Sequence, residues 1–428
     1  MSSQNILPVH PWRADLYEEL HSRPSPLVET PCVVTHIAAQ LRQDERAAER
    51  AHLADLCAQF GAGPPAELAS CFYQTFGDFE LRWEKHTEFS TYTFIRKVQG
   101  DALRRPSALI HIPAHWLAGM PGQAIAALHL AFTSVTGSID PAELNHYFER
   151  QPLRGGVIRQ GTAYLYGSFR LHSDGFGRMV IQSSGLTSMQ AGRLVQRVLE
   201  VETYRLMALL ALPVARRITP EVTAMEDQLA RINQELARAQ GEPDQETLLD
   251  ELSNLAARVE RHRSDTTYRF AATNAYYDLV HERLSELSEE KIPGLQPIKV
   301  FIERRLAPGI RTCNAVRDRL EGLSDRIGHA SDLLRTRVEL AIQGQNRELL
   351  SSMNRRSEIQ LRLQQAVEGL SVVAITYYLM GLLGYVYEGL AWAGLHVDKE
   401  LGFAIAVPVI MLLVWRVIHG VRRRVQAG

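Results

Sequence analysis

Residues 370–387 read LSVVAITYYLMGLLGYVY and carry no charged side chain. The apolar character resumes after Glu388 and continues to about residue 395. An α-helix rises about 1.5 Å per residue, so this stretch is long enough to cross a hydrocarbon layer of about 30 Å. The sequence therefore predicts a first transmembrane helix over residues 370–395.

A second apolar run, LGFAIAVPVIMLLVW, covers residues 401–415 and stops at Arg416. An arginine at this depth can extend toward the lipid headgroups, which lets the span reach residue 418. Arginines flank the two spans on both outer sides, whereas the connecting loop 396–400 is acidic. By the positive-inside rule, both termini and the basic tail 419–428 are predicted to be cytoplasmic.

A long helix is predicted before the first span. Beyond Pro308-Gly309, apolar residues recur at steps of mostly three and four from Val316 to Ala341, a pattern typical of a coiled-coil seam. Proline and glycine together mark a helix boundary. The sequence therefore predicts a stalk helix over residues 310–369 that continues into the membrane.

An antiparallel helical hairpin with connecting helices is predicted over residues 216–309. Two heptad runs of apolar residues are separated by the breaker Gly241-Glu242-Pro243. The turn and the start of the second arm carry five acidic residues and no basic one. Two interpretations stay open: a solvated charged surface, or a surface that senses cations or contacts the stalk.

Residues 1–215 predict a mixed α/β cytoplasmic domain, so that the whole chain belongs to the α+β class. Six strand-like stretches begin at Cys32, Cys71, Glu88, Ala126, Thr162 and Arg178. Helical stretches lie between them. Hairpins are expected around residues 85–87 and 174–175, and strand alternation places Glu84, His86 and Glu88 on one face.

The sequence contains no phosphate-binding loop, HExxH pair, GxSxG turn or GxGxxG turn, and we therefore predict no enzyme activity.

His111 and His115 are four residues apart, which would suit a pair of metal ligands on one helical face. Pro113 between them makes such a face unfavourable, so the alternative is that both are ordinary, partly buried histidines. No cofactor is predicted; a divalent cation would enter only as a transported or regulatory ion. The formal charge of -1 argues against nucleic acid as a partner.

Four stretches give the chain a resemblance to a known family. They are HPWRADLYEELHSRP at 10–24, LRWEKHTEFSTYTF at 81–94, YGSFRLHSDGFGR at 166–178 and GLSVVAITYYLMGLLGY at 369–385. The chain resembles a bacterial family of predicted membrane-anchored proteins grouped under a domain of unknown function. The resemblance implies a multi-pass protein of the bacterial inner membrane and implies no activity.

The order of the predicted parts is also similar to that of CorA-type magnesium channels. In that family five subunits line a pore with the stalk and the first membrane helix, and a Gly-Met-Asn tripeptide at the outer mouth selects hydrated cations. This sequence has LLGYVYEGL over residues 382–390 at the comparable place and lacks the tripeptide. The resemblance therefore implies a homo-oligomer, a pentamer if it is CorA-like, without establishing selectivity.

Small and polar residues recur along one face of the first span at coiled-coil spacing. The predicted pore-lining residues are Gln360, Gln364, Ser371, Ala374, Tyr378, Gly381, Tyr385 and Glu388. Small and polar groups on a membrane helix usually face a bundle interior or an aqueous path. The alternative is a closed bundle in which glycines allow close helix approach and tyrosines anchor at the membrane interface.

Three functional hypotheses follow. The first is a CorA-like homo-oligomeric cation channel or transporter in the lipid bilayer, lined by the first transmembrane helix. The second is a non-conducting, membrane-tethered scaffold or regulator whose cytoplasmic domain binds a partner or small ligand. An enzyme is the third, and no constellation of residues in the sequence favours it.

Overall fold

Alternating apolar residues in the N-terminal half build one mixed sheet. The computed structural model describes residues 7, 9–13, 16–17, 24–67, 69–105, 107–134, 139–238, 242–392 and 399–425. The strands are β1 (Cys32–Gln40), β2 (Cys71–Phe76), β3 (Phe79–Lys85), β4 (Phe89–Lys97), β5 (Gln123–Thr133), β6 (Arg154–Ile158), β7 (Ala163–Gly167), β8 (Gly177–Gln182) and β9 (Glu290–Lys291). They lie in the order β2-β3-β4-β1-β5-β8-β7-β6-β9, and only β5 and β8 pair in parallel.

Helices cover both faces of this sheet and then continue beyond it. They are α1 (Arg46–Gln59), α2 (Ala114–Ala118), α3 (Pro141–Tyr147), α4 (Ser188–Leu209), α5 (Ala211–Arg238), α6 (Glu242–Glu286), α7 (Ile298–Trp392) and α8 (Lys399–Val425). The chain divides into two compact units, one formed by residues 1–237 and 250–330 and the other by residues 238–249 and 331–428. The predicted α+β class is confirmed.

The first unit has a separate apolar core on each side of the sheet. On one side, alternate residues of β1 and β5 such as Val34 and Leu128 pack with α4 and with the first turns of α7. On the other side, Trp83 and Tyr92 pack with α1 and α2. Because helices cover both faces, strand β4 is buried over seven consecutive residues from Phe89, which strand alternation alone would not show.

Two predicted hairpins are confirmed, and three features of the sheet were not predicted. Strands β3 and β4 pair around residues 86–88, and β7 pairs antiparallel with β8. The stretch from Cys71 was predicted to be one strand, but Gly77, with φ of +64°, makes a turn that divides it into β2 and β3. Strands β6 and β9 were missed.

Helices α5, α6 and the first part of α7 pack together, as the predicted hairpin requires. Arg258 of α6 donates to Gln228 of α5 at 3.0 Å, and Arg319 of α7 donates to Glu226 of α5 at 2.7 Å. Asn274 of α6 donates to an asparagine of α7 at 2.9 Å. Of the predicted breaker at residues 241–243, residue 241 lies outside the described residues, and α6 already begins at Glu242.

The predicted start of the stalk helix at residue 310 was wrong. Helix α7 begins at Ile298 and contains Pro308. A proline inside a helix removes one hydrogen bond and costs roughly 3 kcal/mol. Burial of Ile302, Leu306 and Ile310 along one face offsets this cost, since burying each such side chain contributes about 1.5–3 kcal/mol.

The second unit contains the two predicted spans. The segments Ile298–Leu390 and Gly402–Gly420 each belong to a helix long and apolar enough to cross a membrane. Part of the predicted loop, residues 396–398, lies outside the described residues. Helix α8 begins at Lys399 and ends at Val425, so most of the predicted basic tail is helical rather than an extension beyond the helix.

Candidate functional site

The eight predicted pore-lining residues all lie on α7 in the second unit. Tyr378 is 72% exposed and Tyr385 is 75% exposed within the chain. The face that packs against α8 is a different one: the ring centroids of Tyr387 and Phe403 are 6.0 Å apart. The face of α7 that carries these eight residues, which we call the seam, is therefore exposed at Tyr378 and Tyr385 to contacts from outside the chain.

Helical geometry shows that the seam faces away from α8. Successive residues are about 100° apart around a helix. On that basis the seam from Ser371 to Glu388 lies roughly 180° from the face that carries Val372, Thr376 and Tyr387. Val372 and Thr376 are each less than 9% exposed. Whether the opposite face lines an axis stays a prediction.

A polar cavity lies in the first unit, between the sheet and α4. We name it the Arg82 cavity. It has a volume of about 110 Å³. Its lining residues are Pro26, His36, Arg82, Glu84, His86, Phe89, Thr91, Thr93, Val195, Gln196, Leu199, Glu200, Thr203 and Tyr204.

Strand register brings the polar residues of the Arg82 cavity together. Thr93 of β4 stands opposite His36 of β1 on one side and Arg82 of β3 on the other. Two residues along, Thr91 stands opposite Glu84. Because side chains alternate along a strand, these two rows point to the same face. The prediction that Glu84 and His86 share a face is confirmed, since both line this cavity.

His36 is held as a neutral ring by its surroundings. Its Nδ1 bonds the hydroxyl of Thr93 at 2.8 Å, and its Nε2 bonds the hydroxyl of Thr203 at 3.0 Å. Burial, followed by the nearby His86 and Arg82, lowers the pKa of His36 to about 3. Both ring nitrogens are thus occupied, and the ring is uncharged near neutral pH.

Arg82 and Glu84 form a buried ion pair in the wall of the cavity. Arg82 Nη2 donates to Glu84 Oε1 at 2.8 Å, and the two side chains are 4% and 13% exposed. A buried pair of this kind is costly unless further polar groups complete its hydrogen bonds.

Two buried polar atoms of the lining residues lack a partner. The hydroxyl of Thr91, a residue only 4% exposed, makes no hydrogen bond to any residue that the structure describes. The same holds, within the described part of the chain, for Oε1 of Gln196. Nearly all buried polar atoms in proteins have partners, so unpaired ones in a cavity wall indicate a ligand or water.

A backbone segment before β1 forms one wall of the cavity. Val28 N–H donates to the Ser188 carbonyl oxygen at 3.0 Å, which holds this segment against the start of α4. Pro26, in the same segment, lines the cavity. A Cβ on Gly192 would overlap the Pro26 carbonyl oxygen, so only glycine at this position of α4 permits the approach.

The turn that follows β3 is fixed by α6. Glu88 is 8% exposed and forms an ion pair with Arg269. Its second carboxylate oxygen accepts a hydrogen bond from the Tyr276 hydroxyl at 3.0 Å. The third residue of the predicted polar face therefore contacts α6 rather than the cavity.

A second cluster, on the opposite face of the sheet, has its charges paired internally. Arg178 donates to Glu149 at 2.9 Å and to Asp174 at 2.8 Å. His129 stacks on Phe176 with ring centroids 4.2 Å apart. The adjoining cavity measures about 490 Å³. The motif at 166–178 thus contributes Asp174 and Arg178 to an ion-pair network.

The two histidines that suggested a metal pair lie on different elements. His111 ends a short 3-10 helix and His115 lies on α2, and both are exposed. Among the described residues, no group of three or more His, Cys, Asp or Glu side chains is placed to hold a metal ion. The described cysteines Cys32, Cys57 and Cys313 are buried free thiols.

Comparison with known proteins identifies a family without a defined activity. A family model described as a protein of unknown function (DUF3422) matches residues 8–425. The match includes the sheet, the helical layer and both apolar helices. No curated protein matches the chain.

Proposed function

Because the chain belongs to the DUF3422 family of proteins of unknown function, we propose a function from its own residues. We propose a membrane-anchored binding protein, in which the first unit takes a small polar ligand in the Arg82 cavity. The two C-terminal helices serve as the anchor in the lipid bilayer. The observation that carries the proposal is the Thr91 hydroxyl in the cavity wall, which has no partner among the described residues.

Binding suits the Arg82 cavity better than catalysis does. A general base works best with a pKa near the working pH. The pKa of His36 is lowered to about 3, chiefly by burial, and both of its ring nitrogens already bond threonine hydroxyls. His36 therefore shapes the cavity and does not accept a proton from a substrate.

The flanks of the two apolar helices set the proposed orientation. Arg355, Arg356 and Arg362 precede the first span, three arginines follow the second, and the loop between the spans contains Asp398 and Glu400. The positive-inside rule then places both termini and the first unit in the cytoplasm of a bacterial cell. A net charge of -1 favours lipid and a small ligand over nucleic acid as partners.

The anchor is tested by labelling the full chain in its host membrane with an impermeant maleimide. Asp398→Cys should react from outside intact cells, whereas Gln426→Cys should react only in inverted vesicles. The wild type is the control for its own thiols, of which Cys32, Cys57 and Cys313 are buried and Cys71 is half-buried. Release of the protein by alkaline carbonate, or labelling of Asp398→Cys from the cytoplasmic side alone, would contradict the proposal.

The binding role is tested with a panel of small anionic, cationic, neutral and zwitterionic compounds. At a concentration ten times its Kd, a ligand stabilises the folded state by about 1.4 kcal/mol. At least one compound should raise the unfolding temperature of the detergent-solubilised wild type and raise that of Thr91→Val less. If no class of compound does so, the binding proposal is wrong.

A cation channel is the second candidate, and the outward face of α7 favours it. The seam from Ser371 to Glu388 lies opposite the face that packs on α8 and carries Tyr378, Gly381 and Tyr385. In a homo-oligomer, five-fold if CorA-like, copies of this face would surround an axis, with Glu388 concentrating cations at the outer mouth. A divalent cation would then be the transported ion.

Flux through reconstituted vesicles decides between the two candidates. A channel requires that Glu388→Gln and Tyr385→Ala lower cation flux by a factor of several. Val386 is also exposed but does not belong to the seam, so Val386→Ala should leave the flux unchanged. Tight vesicles that pass no cation under any gradient, or a monomer in mild detergent, would exclude the channel and leave the tethered binding protein.

A further inference from the structure

The groups around the Arg82 cavity define the chemistry of its ligand. We propose that the cavity binds a small zwitterionic amino acid, with the carboxylate at Arg82 and Thr91 and the ammonium group at Glu84 and Gln196. This inference rests on the proposed binding function and names the ligand class for the same site.

Charge balance favours a ligand that carries both signs. Arg82 and Glu84 contribute one positive and one negative charge to the wall. A third charged group, Glu200, is already ion-paired with Arg283. A ligand that carries both signs can place a group of opposite charge against each of these two side chains, whereas a ligand of one sign would be repelled by one of them. A zwitterion adds no net charge.

The carboxylate of the ligand is recognised by hydrogen-bond donors of Arg82 and Thr91. Arg82 has five N–H donors, and one of them is bound to Glu84 at 2.8 Å. The Thr91 hydroxyl, which has no partner within the described chain, stands one row along the sheet from Arg82 and opposite Glu84. A carboxylate that accepts from both would satisfy the orphan hydroxyl.

The ammonium end is recognised by acceptors. Gln196 Nε2 donates to Glu200 Oε1 at 2.8 Å. Since a carboxylate can only accept, this contact fixes the orientation of the amide and leaves Gln196 Oε1 as a buried acceptor without a partner among the described residues. The Glu84 carboxylate lines the same cavity. An ammonium group offers three donors to these oxygens.

The cavity volume suits the smallest amino acids. A cavity of about 150 Å³ accommodates benzene, so about 110 Å³ suits a ligand of about five or six non-hydrogen atoms. Val195, Leu199 and Phe89 supply an apolar part of the lining. Alanine and glycine match this volume and this lining.

Equilibrium dialysis of radiolabelled alanine against the detergent-solubilised full chain tests the inference. The wild type should bind one alanine per chain. Thr91→Val removes one hydrogen bond to a charged group and should weaken binding by about 10-fold or more. Thr273→Val is the matched control, because Thr273 is also fully buried with an unpaired hydroxyl but does not line the cavity.

Stability separates a binding role from a structural one. Both valine variants should fold at least as well as the wild type, since each removes an unpaired buried hydroxyl. Acetate and ethylammonium, which carry one end each, should bind at least 10-fold more weakly than alanine. Unchanged alanine binding by Thr91→Val would mean that its hydroxyl holds only water, and the inference would fail.

The remaining outcomes distinguish this inference from the proposed function. If acetate or ethylammonium binds as tightly as alanine and depends on Thr91, the zwitterion is wrong and the binding function stands. Another outcome is that no alanine binds, but a different compound of the panel stabilises the wild type and stabilises Thr91→Val less. The alanine proposal is then wrong, and the binding function stands. If no compound of any class binds, both fail.

Discussion

Replacement of His36 by glutamine should remove a specific part of the pH dependence of stability. The ring lies on β1, is 4% exposed and bonds Thr93 and Thr203. Arg82 of β3 and His86 of the following turn are the charged or titratable neighbours that, after burial, lower its pKa. Glutamine cannot be protonated in this range, so the substitution deletes the titration.

The size of the effect follows from the two pKa values. The pKa of His36 is about 3 in the folded protein, against the ordinary histidine value of 6.5 that applies to the unfolded chain. Because the folded value is depressed, the stabilisation is complete above pH 6.5 and is lost as the pH falls toward 3. Between about pH 7.5 and about pH 5 the loss amounts to about 2 kcal/mol.

Urea unfolding of the detergent-solubilised full chain measures this loss. Trp83 and Trp116 are each 1% exposed in the core on the α1 side of the sheet, and their fluorescence reports on the first unit. The pKa of His129 is also lowered, to about 4, by burial. His129 contributes equally to wild type and variant, so the difference between them isolates His36.

Between the two pH values, the wild type should lose about 2 kcal/mol more than His36→Gln. His115→Gln, an exposed histidine on α2, should behave like the wild type. If wild type and His36→Gln lose the same free energy, His36 is protonated as easily in the fold as outside it. The assignment of a buried neutral ring would then be refuted.

Three further substitutions test the local structure by chemical unfolding of the same chain. Gly192→Ala should cost about 1–3 kcal/mol, because its Cβ would displace the Pro26 carbonyl, and no loss would refute the close approach. Glu49→Ala should cost about 3–5 kcal/mol, because this 1% exposed carboxylate accepts from the Trp83 indole at 2.9 Å and pairs with a buried arginine. Glu289→Ala should cost about 1–2 kcal/mol, because its carboxylate caps the first N–H groups of α7 at 2.7 and 2.8 Å; an unchanged midpoint would exclude that cap.

The elements with a strong period were predictable from the sequence, and those defined by long-range contacts were not. The period of two in β4 and the heptads of α5 and α6 identified those elements. Strand β6 reads RGGVI, and glycines usually weaken a strand. In the fold a Cβ on Gly155 would lie 2.7 Å from the Leu165 carbonyl oxygen, so the strand depends on the close approach of β7.

The start of α7 could not be predicted either, because it also depends on long-range packing. A Pro-Gly pair is a local signal for a boundary, and at residues 308–309 it is overridden by packing. Gly309 lies against α4 and α5, where an added Cβ would be 3.2 Å from Leu209 and 3.3 Å from Leu212. The glycine therefore permits tight helix packing there instead of ending the helix.

The Arg82 cavity could not be predicted because its residues come from separate strands and one helix. Arg82 and Glu84 alternate in the sequence, and so do Thr91 and Thr93, which is typical of a solvated sheet face. Only the position of α4 over this face makes it buried. A useful signal was present nonetheless: Thr93 lies between Tyr92 and Phe94, as expected when both faces of a strand are covered.

The two candidate functional surfaces differ in what specifies them, and this difference decides which proposal is easier to overturn. The Arg82 cavity is specified within one chain, because strand register, α4 and the segment before β1 form its walls, so a single substitution such as Thr91→Val tests it directly. The seam on α7 is specified by helical period alone, and within the chain nothing described packs on Tyr378 or Tyr385 to the extent of burying it. Its function requires contacts that only an assembly could supply. Subunit number must therefore be measured before any residue of the seam is assigned to ion conduction.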